Sequence, residues 1–575
     1  MRLRRTPGRL AAAFAAVTSA LVLVAGSGVA VADPAFTSAH QVAGLAALNV
    51  DGTANIDDIS CSSNGSCAAV GTYIDGSAHV QGFVTNETNG VWGAAMPIPG
   101  LADLNAGGAV RDNVVISCTA AGECEAGGRY TDANQVKQAF IAQERAGVWG
   151  SAFEMPRDSS IPAPDGMRLV SLVCTSPGQC VAGGLYFVES GTNQEPWVAT
   201  ETNGTWAGAM EVPGMAVLDP GQLGTVASMA CPAAGSCVLT GYYADAATND
   251  QVFVDSQVAG VWGTAQPLPG LIALNAGGVA TSSQIACSSV GHCAVGGLYS
   301  PSTGVYDAFV ADEVAGVWGN AQELPGSDTL NSGGLATITS IACAGDGSCE
   351  ALGEYALDAR TVQAMVATES NGVWGDAVVM PGMFNLNLLN NSGALSVSCV
   401  SVGDCRAVGL YQDLFGNIQG FISTESGGTW TSTVVPLGSQ NLNVKGNGSL
   451  ETVSCTPDGA CAAGGQYEDA AGSEQGMIVD ASSSTARAPG APSAHAVSRA
   501  KGKVSVTVHP GTSGGNPITE YEYSVNGGAW HVGSRGATTF VVSHLKSKSK
   551  VHLRVRAVNG VGAGRASPPV AVTVR

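Results

Sequence analysis

Basic residues are almost missing from most of this chain. Between residues 33 and 486, nine Lys and Arg stand against forty-three Asp and Glu, a net charge of −34. That balance excludes nucleic acid as a partner of this region, since neutralising a phosphate backbone needs clustered cations. Charged residues of both signs make up only 12% of the chain and aromatics only 6%. No helical periodicity runs through it. Beyond residue 32 no stretch is apolar over the length that a bilayer requires, so no membrane span is expected. Histidine is scarce and never at ligand spacing, and no nucleophile–base pair, phosphate loop or zinc motif stands out.

What is present begins with an export signal at residues 1–32. Arg2, Arg4, Arg5 and Arg9 precede the apolar run AAAFAAVTSALVLVA, and small residues close on Ala30-Val31-Ala32. The general secretory route is favoured, with Arg4-Arg5 a weak hint of twin-arginine export. The mature product is expected to be secreted, extracellular and monomeric. It should carry disulfides.

Sixteen cysteines fall as eight pairs with five residues between partners: Cys61/Cys67, Cys118/Cys124, Cys174/Cys180, Cys231/Cys237, Cys287/Cys293, Cys343/Cys349, Cys399/Cys405 and Cys455/Cys461. Each pair is expected to staple a hairpin locally, at roughly 2 kcal/mol by loop-closure entropy. First cysteines recur every 56 or 57 residues, and Trp92, Trp149, Trp206, Trp262, Trp318, Trp374 and Trp430 keep the same period. A Gly four places and a Tyr six places after each second cysteine occur in all eight units, as in Gly71 and Tyr73. Repetition is the dominant signal.

Each unit reads as four short antiparallel strands separated by turn residues. In the fifth these are ATSSQIAC, CAVGGLYS, DAFVADEV and VWGNAQELPG. Eight such units resemble an eight-bladed β-propeller, assigned to residues 33–482; a β-helix is the runner-up. The eighth unit, from SLETVSC to VDASSS, lacks a Trp-bearing fourth strand, whereas the mature chain opens on FTSAHQVAGLAALN, which matches WGTAQPLPGLIALN at 262–275. Residues 36–45 are therefore expected to supply the missing strand and latch the ring, removing two free sheet edges.

Residues 483–490 read as a linker and 491–575 as a second domain. From Arg487 to the end, twelve basic residues stand against Glu520 and Glu522, a net of +10. The stretches GGNPITEYEYSVNGGAW, LKSKSKVHLRVRAVN and GVGAGRASPPVAVTV resemble a fibronectin type III domain, although Val551 stands where the family's corner Tyr is expected. The resemblance implies a seven-stranded sandwich that serves secreted bacterial proteins as spacer or binding accessory, without catalysis. Lys546, Lys548, Lys550, Arg554 and Arg556 are candidates for binding a polyanion, because alternation in a strand gathers them on one side.

In the propeller-like region, Glu stands five before the Trp in six units, from Glu87 to Glu425; spread evenly around a repeat, it reads as a hairpin residue. The turn in TETNGTW resembles a loose aspartate-box turn of sialidase-like propellers, which bears on fold alone. Two polar columns converge on one set of loops: Asn49, Asn105, Asp219, Asn275, Asn331, Asn387 and Asn443, and Asp75, Asp132, Asp245, Asp413 and Asp469. They cap their own turns, or they form a ligand face for a polar glycan, a cationic surface or Ca2+. No other cofactor is expected. The irregular SSIPAPDGM and VLDPGQLG of the third and fourth units are where a unique site is sought first. The preferred reading is a secreted, non-catalytic recognition protein whose partner is an extracellular glycan, wall polymer or protein; the alternative is a glycoside hydrolase or its accessory.

Overall fold

A computed structural model describes Phe36 and residues 39–481 and 491–575, except 51, 64, 162–165, 189–192, 388, 390, 432, 510–517, 519, 536–537 and 560–561. The export signal and the linker 483–490 lie outside the described residues. The fold is all-β, and no helix among the described residues is long and apolar enough to cross a membrane.

The first unit sets the pattern. Ala54–Ser63 pairs antiparallel with Ser66–Ile74, which pairs with Val80–Thr88, which pairs with Val91–Trp92 and Met96–Pro97. The expected single fourth strand is thus two short pieces. The break falls at Gly93, whose amide donates back to Asn86 O at 2.8 Å. Every first strand carries a bulge ahead of its cysteine, between Ile56 and Asp58 in the first unit and between Ile338 and Ser340 in the sixth. The bulge explains the repeated glycine: a Cβ on Gly71 would sit 1.9 Å from Asn55 O, so no larger residue fits opposite the extra residue.

All eight expected disulfides are present, each joining cysteines six residues apart and directly opposite across the first hairpin, as Cys61 faces Cys67. The two halves of each staple differ in burial. The first cysteine is half-buried, whereas the second turns into the apolar core: Cys237, Cys405 and Cys461 are 2%, 1% and 3% exposed and therefore closed to any ligand. Cys237 packs in one cluster with Leu239 and Phe253, and Cys405 in another with Ala407 and Phe421. Cys461 lies on the central strand of its sheet, between Cys455 and Ala481. Their role is structural. Spacing gives the pairing but not which sulfur faces inward.

Helix is not wholly absent. After the fourth strand come one-turn helices such as Leu45–Leu48 and Leu101–Leu104, each entered through a glycine at positive φ, 76° at Gly44 and 71° at Gly100. A single turn is too short to leave a periodic signature in sequence.

Neighbouring units are tied in sequence by backbone hydrogen bonds between their outer strands: Ala95 to Ala43, Ala152 to Pro99, Ala209 to Pro156, Ala265 to Pro213, Ala321 to Pro269, Ala377 to Pro325 and Thr433 to Pro381. The eighth bond runs from Ala39 N to Leu437 O at 2.7 Å and returns to the start. First strands do the same through side chains. The Cys118 amide donates to Ser60 Oγ, Cys174 to Ser117, Cys455 to Ser398, and Cys61 to Ser454. His40–Gln41 pairs with the last strand of the eighth unit, Glu474–Ala481, in the register His40 opposite Ile478. That is the place Met96–Pro97 takes against Val84 and Phe83 in the first unit. Ala39, Val42 and Leu45 are 8%, 2% and 0% exposed, and Leu45 packs with Ile56, Phe83 and Ile478.

From 491 onward, Ser493–Ala500, Lys503–His509 and Thr539–Val542 form one antiparallel sheet. Trp530–Arg535, Glu520–Val525, Lys550–Asn559, Gly562–Ala563 and Val570–Thr573 form a second. Both contribute to one core built around Val504, Val506, Phe540, Leu553 and Val555.

Candidate functional site

At the loop end of the repeated units the Asn column is turned inward. Asn105 is 1% exposed; its Nδ2 donates to Val80 O at 2.9 Å and Gln81 Oε1 at 3.2 Å, and its Oδ1 accepts from the amides of Ala109 and Thr131. Asn49, Asn275 and Asn443 repeat three of these four contacts, and Asn331 and Asn387 repeat part of them. Asp219, in the irregular fourth unit, likewise accepts from Leu223 and Ala244. The Asn residues clamp their units to the third strand of the unit before, leaving little of the column for a ligand. Residues 162–165 of the third unit's irregular loop lie outside the described residues.

The Asp column sits farther out and caps its loops. Asp75 Oδ1 accepts from the amides of Ser77 and His79; Asp132, Asp245, Asp413 and Asp469 make the same pair of bonds. At Asp75, Asp245 and Asp413 slight burial opposes ionisation, but these amides outweigh it and hold the carboxyls below the usual range.

Three acids lie on the first strands where the first unit meets the eighth. Asp57 and Asp58 are consecutive at the bulge, and Glu451 occupies the bulge of the eighth unit. Other units carry Val114, Ala227, Ser283, Thr339 or Leu395 at the place of Asp57, so the asymmetry is legible once the repeats are aligned. Asp58 accepts from the amides of Ile116 and Ile59 and from Thr452 Oγ1. Asp57 accepts from the Val114 amide and the Asn55 side chain. Desolvation nevertheless raises Asp57 to about 7 and Asp58 to about 6, and for Asp57 the neighbouring Asp58 and Glu451 add to the rise.

At the stapled end each repeated Glu faces its Trp across the hairpin, as Glu87 faces Trp92 and Glu369 faces Trp374. These carboxyls are buried, and desolvation raises them: Glu87 to about 7, helped by Asp480, and Glu369 to about 7, helped by Asp312. Two clefts hold carboxyl pairs between neighbouring units. Glu201 and Glu125 both receive the guanidinium of Arg145 and the amide of Gln143. Glu425 and Glu350 lie near Arg406, which is 2% exposed and bonds Asp404 Oδ1 at 2.6 Å. Burial and mutual repulsion raise Glu201 and Glu350 well above the carboxylate range, so each pair holds a proton. Among the described residues, only Glu125, Cys180 and Glu201 bring potential ligand atoms close enough for one metal ion, and Cys180 is spent in a disulfide.

Arg406 donates to Asp404 Oδ1 and to the carbonyl oxygens of Cys405 and Glu425, and breaking a buried, hydrogen-bonded ion pair by removing one partner costs about 3–5 kcal/mol. Arg406→Met should therefore lower stability by about that much, read by denaturant unfolding. The loss should shrink at acid pH, where Glu350 and Glu425 are both neutral.

In the last segment Lys546, Lys548 and Lys550 are exposed, and Lys550, His552 and Arg554 alternate along one strand with buried Val551, Leu553 and Val555. Arg556 is committed elsewhere: its Nε donates to Glu522 at 2.6 Å and its guanidinium lies 4.4 Å above the Trp530 ring. Four of the five cations expected to meet a polyanion are thus exposed. The acids Asp57, Asp58 and Glu451 and the Glu125 and Glu350 pairs were not anticipated from sequence.

No protein-family model matches the chain, and the comparison with curated proteins finds no match. Solved structures give distant likenesses. A polysaccharide lyase, an ulvan lyase bound to a glucuronate–rhamnose sulfate unit, is 9% identical over 71% of this chain and 95% of its own, with a TM-score of 0.37. The extracellular domain of a putative one-component system from B. thetaiotaomicron is 12% identical over 91% and 69%, at 0.31. A twitchin kinase region from C. elegans is 20% identical over 15% of this chain, at 0.14, and the chain spans 17% of its length.

Proposed function

We propose that the chain is a secreted, non-catalytic recognition protein. In this reading residues 33–482 form an eight-bladed propeller latched by its N-terminal strand. Residues 491–575 form a fibronectin type III-like sandwich that tethers the acidic propeller to an anionic surface polymer. The observation that carries it is the division of charge, −34 from residue 33 to 486 and +10 from Arg487 onward, together with the exposed row of Lys546, Lys548, Lys550 and Arg554. The eight disulfides fit an oxidising, extracellular compartment. The inward-turned Asn clamps are committed to internal hydrogen bonds, which leaves the outer Asp loops as the surface offered to a glycan or protein.

The whole chain has a net charge of −20 and as such is repelled by polyanions. Any attraction must then arise locally at the sandwich. Full-length protein should bind teichoic-acid-bearing walls at low salt and release toward 1 M, where the Debye length falls from about 10 Å to about 3 Å. The triple variant Lys546→Ser, Lys548→Ser, Lys550→Ser should bind several-fold less in the same pull-down. Salt-independent binding, or an unchanged triple variant, would defeat the tether.

A second reading draws on Asp57 and Glu451, two inner carboxyls in unlike environments, as a hydrolase would need an acid and a base. It requires that the protein turn over some polysaccharide and that Asp57→Asn abolish turnover without unfolding the chain.

A further inference from the structure

Between the fifth and sixth units, at the stapled end of the strands, lies a cleft of about 380 Å³ lined among others by His292, Asp312, Glu313, Val314, Trp318 and Glu369. A second cleft of about 360 Å³ opens beside it and shares Glu313 and Trp318. Glu313 is 4% exposed, yet its Oε2 has no hydrogen-bond partner, and neither does the indole Nε1 of Trp318. A buried carboxylate oxygen without a donor carries a large desolvation cost, so the site asks for a group that brings donors and positive charge.

Equivalent clefts elsewhere in the chain show what that group is. Between the second and third units Arg145, the residue after Glu144, reaches Glu125 and Glu201. After Glu313 the residue in that place is Val314. Between the first and second units Asn86 donates to Glu144 and accepts from the Trp149 indole at 3.3 Å. In the fifth unit that place belongs to Asp312, which accepts from Trp374 at 3.1 Å but has no amide proton for Glu369. The cleft therefore holds neither the guanidinium nor the amide that reaches Oε1 of Glu201 and Glu144 in its counterparts, although Oε2 of those two acids has no partner either. Its carboxylates are also spread too widely for one metal ion to gather.

We propose that the cleft between the fifth and sixth units binds the guanidinium or ammonium head of a small organic cation, in the place that Arg145 fills between the second and third. A guanidinium supplies several donors in one plane, enough to meet Asp312, Glu369 and Glu313 together, and the Trp318 ring adds a face for the cation. Val314 in place of Arg leaves the space for it. Binding should be linked to pH, because Glu369, raised by desolvation and by Asp312, must be ionised to pair with the ligand. The other groups around it are Glu313, raised by burial, His292, and Asp346 at the rim, 3.9 Å from His292. Affinity should rise as pH passes upward through about 7.

Calorimetric titration of the full-length protein with agmatine, cadaverine and methyl glucoside tests this. Agmatine should bind one to one at about pH 8 and at least about tenfold more weakly near pH 5.5, a change of about 1.4 kcal/mol or more. Cadaverine in place of agmatine would identify the head as ammonium. Val314→Arg, which gives the cleft its own guanidinium, should abolish binding while leaving the melting temperature unchanged or higher. Asp312→Asn, which restores the amide of the first unit and keeps an acceptor for Trp374, should weaken binding by at least about tenfold. The proposal falls if neither amine binds at millimolar concentration, if methyl glucoside alone binds, or if Val314→Arg leaves the amine affinity intact.

Discussion

Removing residues 36–45 should lower the melting temperature far more than removing 491–575, although the second deletion takes away more than eight times as many residues. The short segment carries Val42 and Leu45, which are 2% and 0% exposed, and burial of such side chains contributes about 1.5–3 kcal/mol each. It also makes the bond from Ala39 to Leu437, the bond from Val42 to Gly476 and the pairing of His40–Gln41 with the last strand. Without it, Glu474–Ala481 becomes an open edge and the first and last units lose their outer link, so the effect should spread beyond the eighth unit. Leu45→Ala alone should cost about 2–5 kcal/mol by transfer and cavity terms. Differential scanning calorimetry of the two truncations and this variant gives the comparison. Small and equal shifts for both truncations would contradict the latch.

Stability should also depend strongly on pH, and in an unusual direction. Glu87 and Glu369 have folded values near 7 against an ordinary 4.5, so the folded state binds their protons more tightly than the unfolded chain. A raised folded value means stability that is full below about 4.5 and is lost as pH rises through about 7. At about 1.4 kcal/mol per unit, each of these two buried groups accounts for a change on the order of 3 kcal/mol. Glu201, Glu350 and Asp57 act in the same sense. Asp75, Asp245 and Asp413 act oppositely, their contribution fading below about pH 4 as they take up protons. The maximum should then lie near pH 5, with a marked decline by pH 8. Denaturant midpoints measured across that range would show it; a flat profile or a maximum above pH 7 would refute the buried, protonated acids.

How much of this was legible in sequence follows from which features repeat. The first three strands and the stapled hairpins could be read because each recurs with one period, and the absence of a fourth strand in the eighth unit because it breaks that period; of the residues 36–45 expected to fill it, His40–Gln41 pairs with the last strand. The two-piece fourth strand and the one-turn helix after Gly44 or Gly100 could not, since a break at one glycine and a single helical turn leave no periodic trace. The repeated glycine was visible as a fact but not as a cause, which lies in the bulge whose Asn55 carbonyl leaves no room for a Cβ on Gly71. The cysteine pairs were legible in the same partial way: their spacing gives the bond, but the burial of Cys237, Cys405 and Cys461 comes from the apolar core that their strands close over. Site residues fared differently. The Asn column was noticed for its regularity, and that regularity reflects a clamp made once per unit, as at Asn105. Departures from the repeat carried more information. Asp57 beside Asp58, Val314 after Glu313 and Asp312 in place of Asn86 stand out only when each column is compared across units, and their meaning depends on contacts between units that sequence spacing does not reveal.

In a ring closed by residues 36–45, the two ends of the repeat are joined as firmly as any internal pair of units. Residue-resolved hydrogen exchange tests it within one molecule, because each latch amide has an internal counterpart. Ala39 corresponds to Ala95, which donates to Ala43, and Val42 to Ile98, which donates to Gly82. A closed ring predicts that Ala39 and Val42 exchange as slowly as Ala95 and Ile98. Exchange of Ala39 and Val42 at the rate of an unstructured chain, with Ala95 and Ile98 protected, would contradict it.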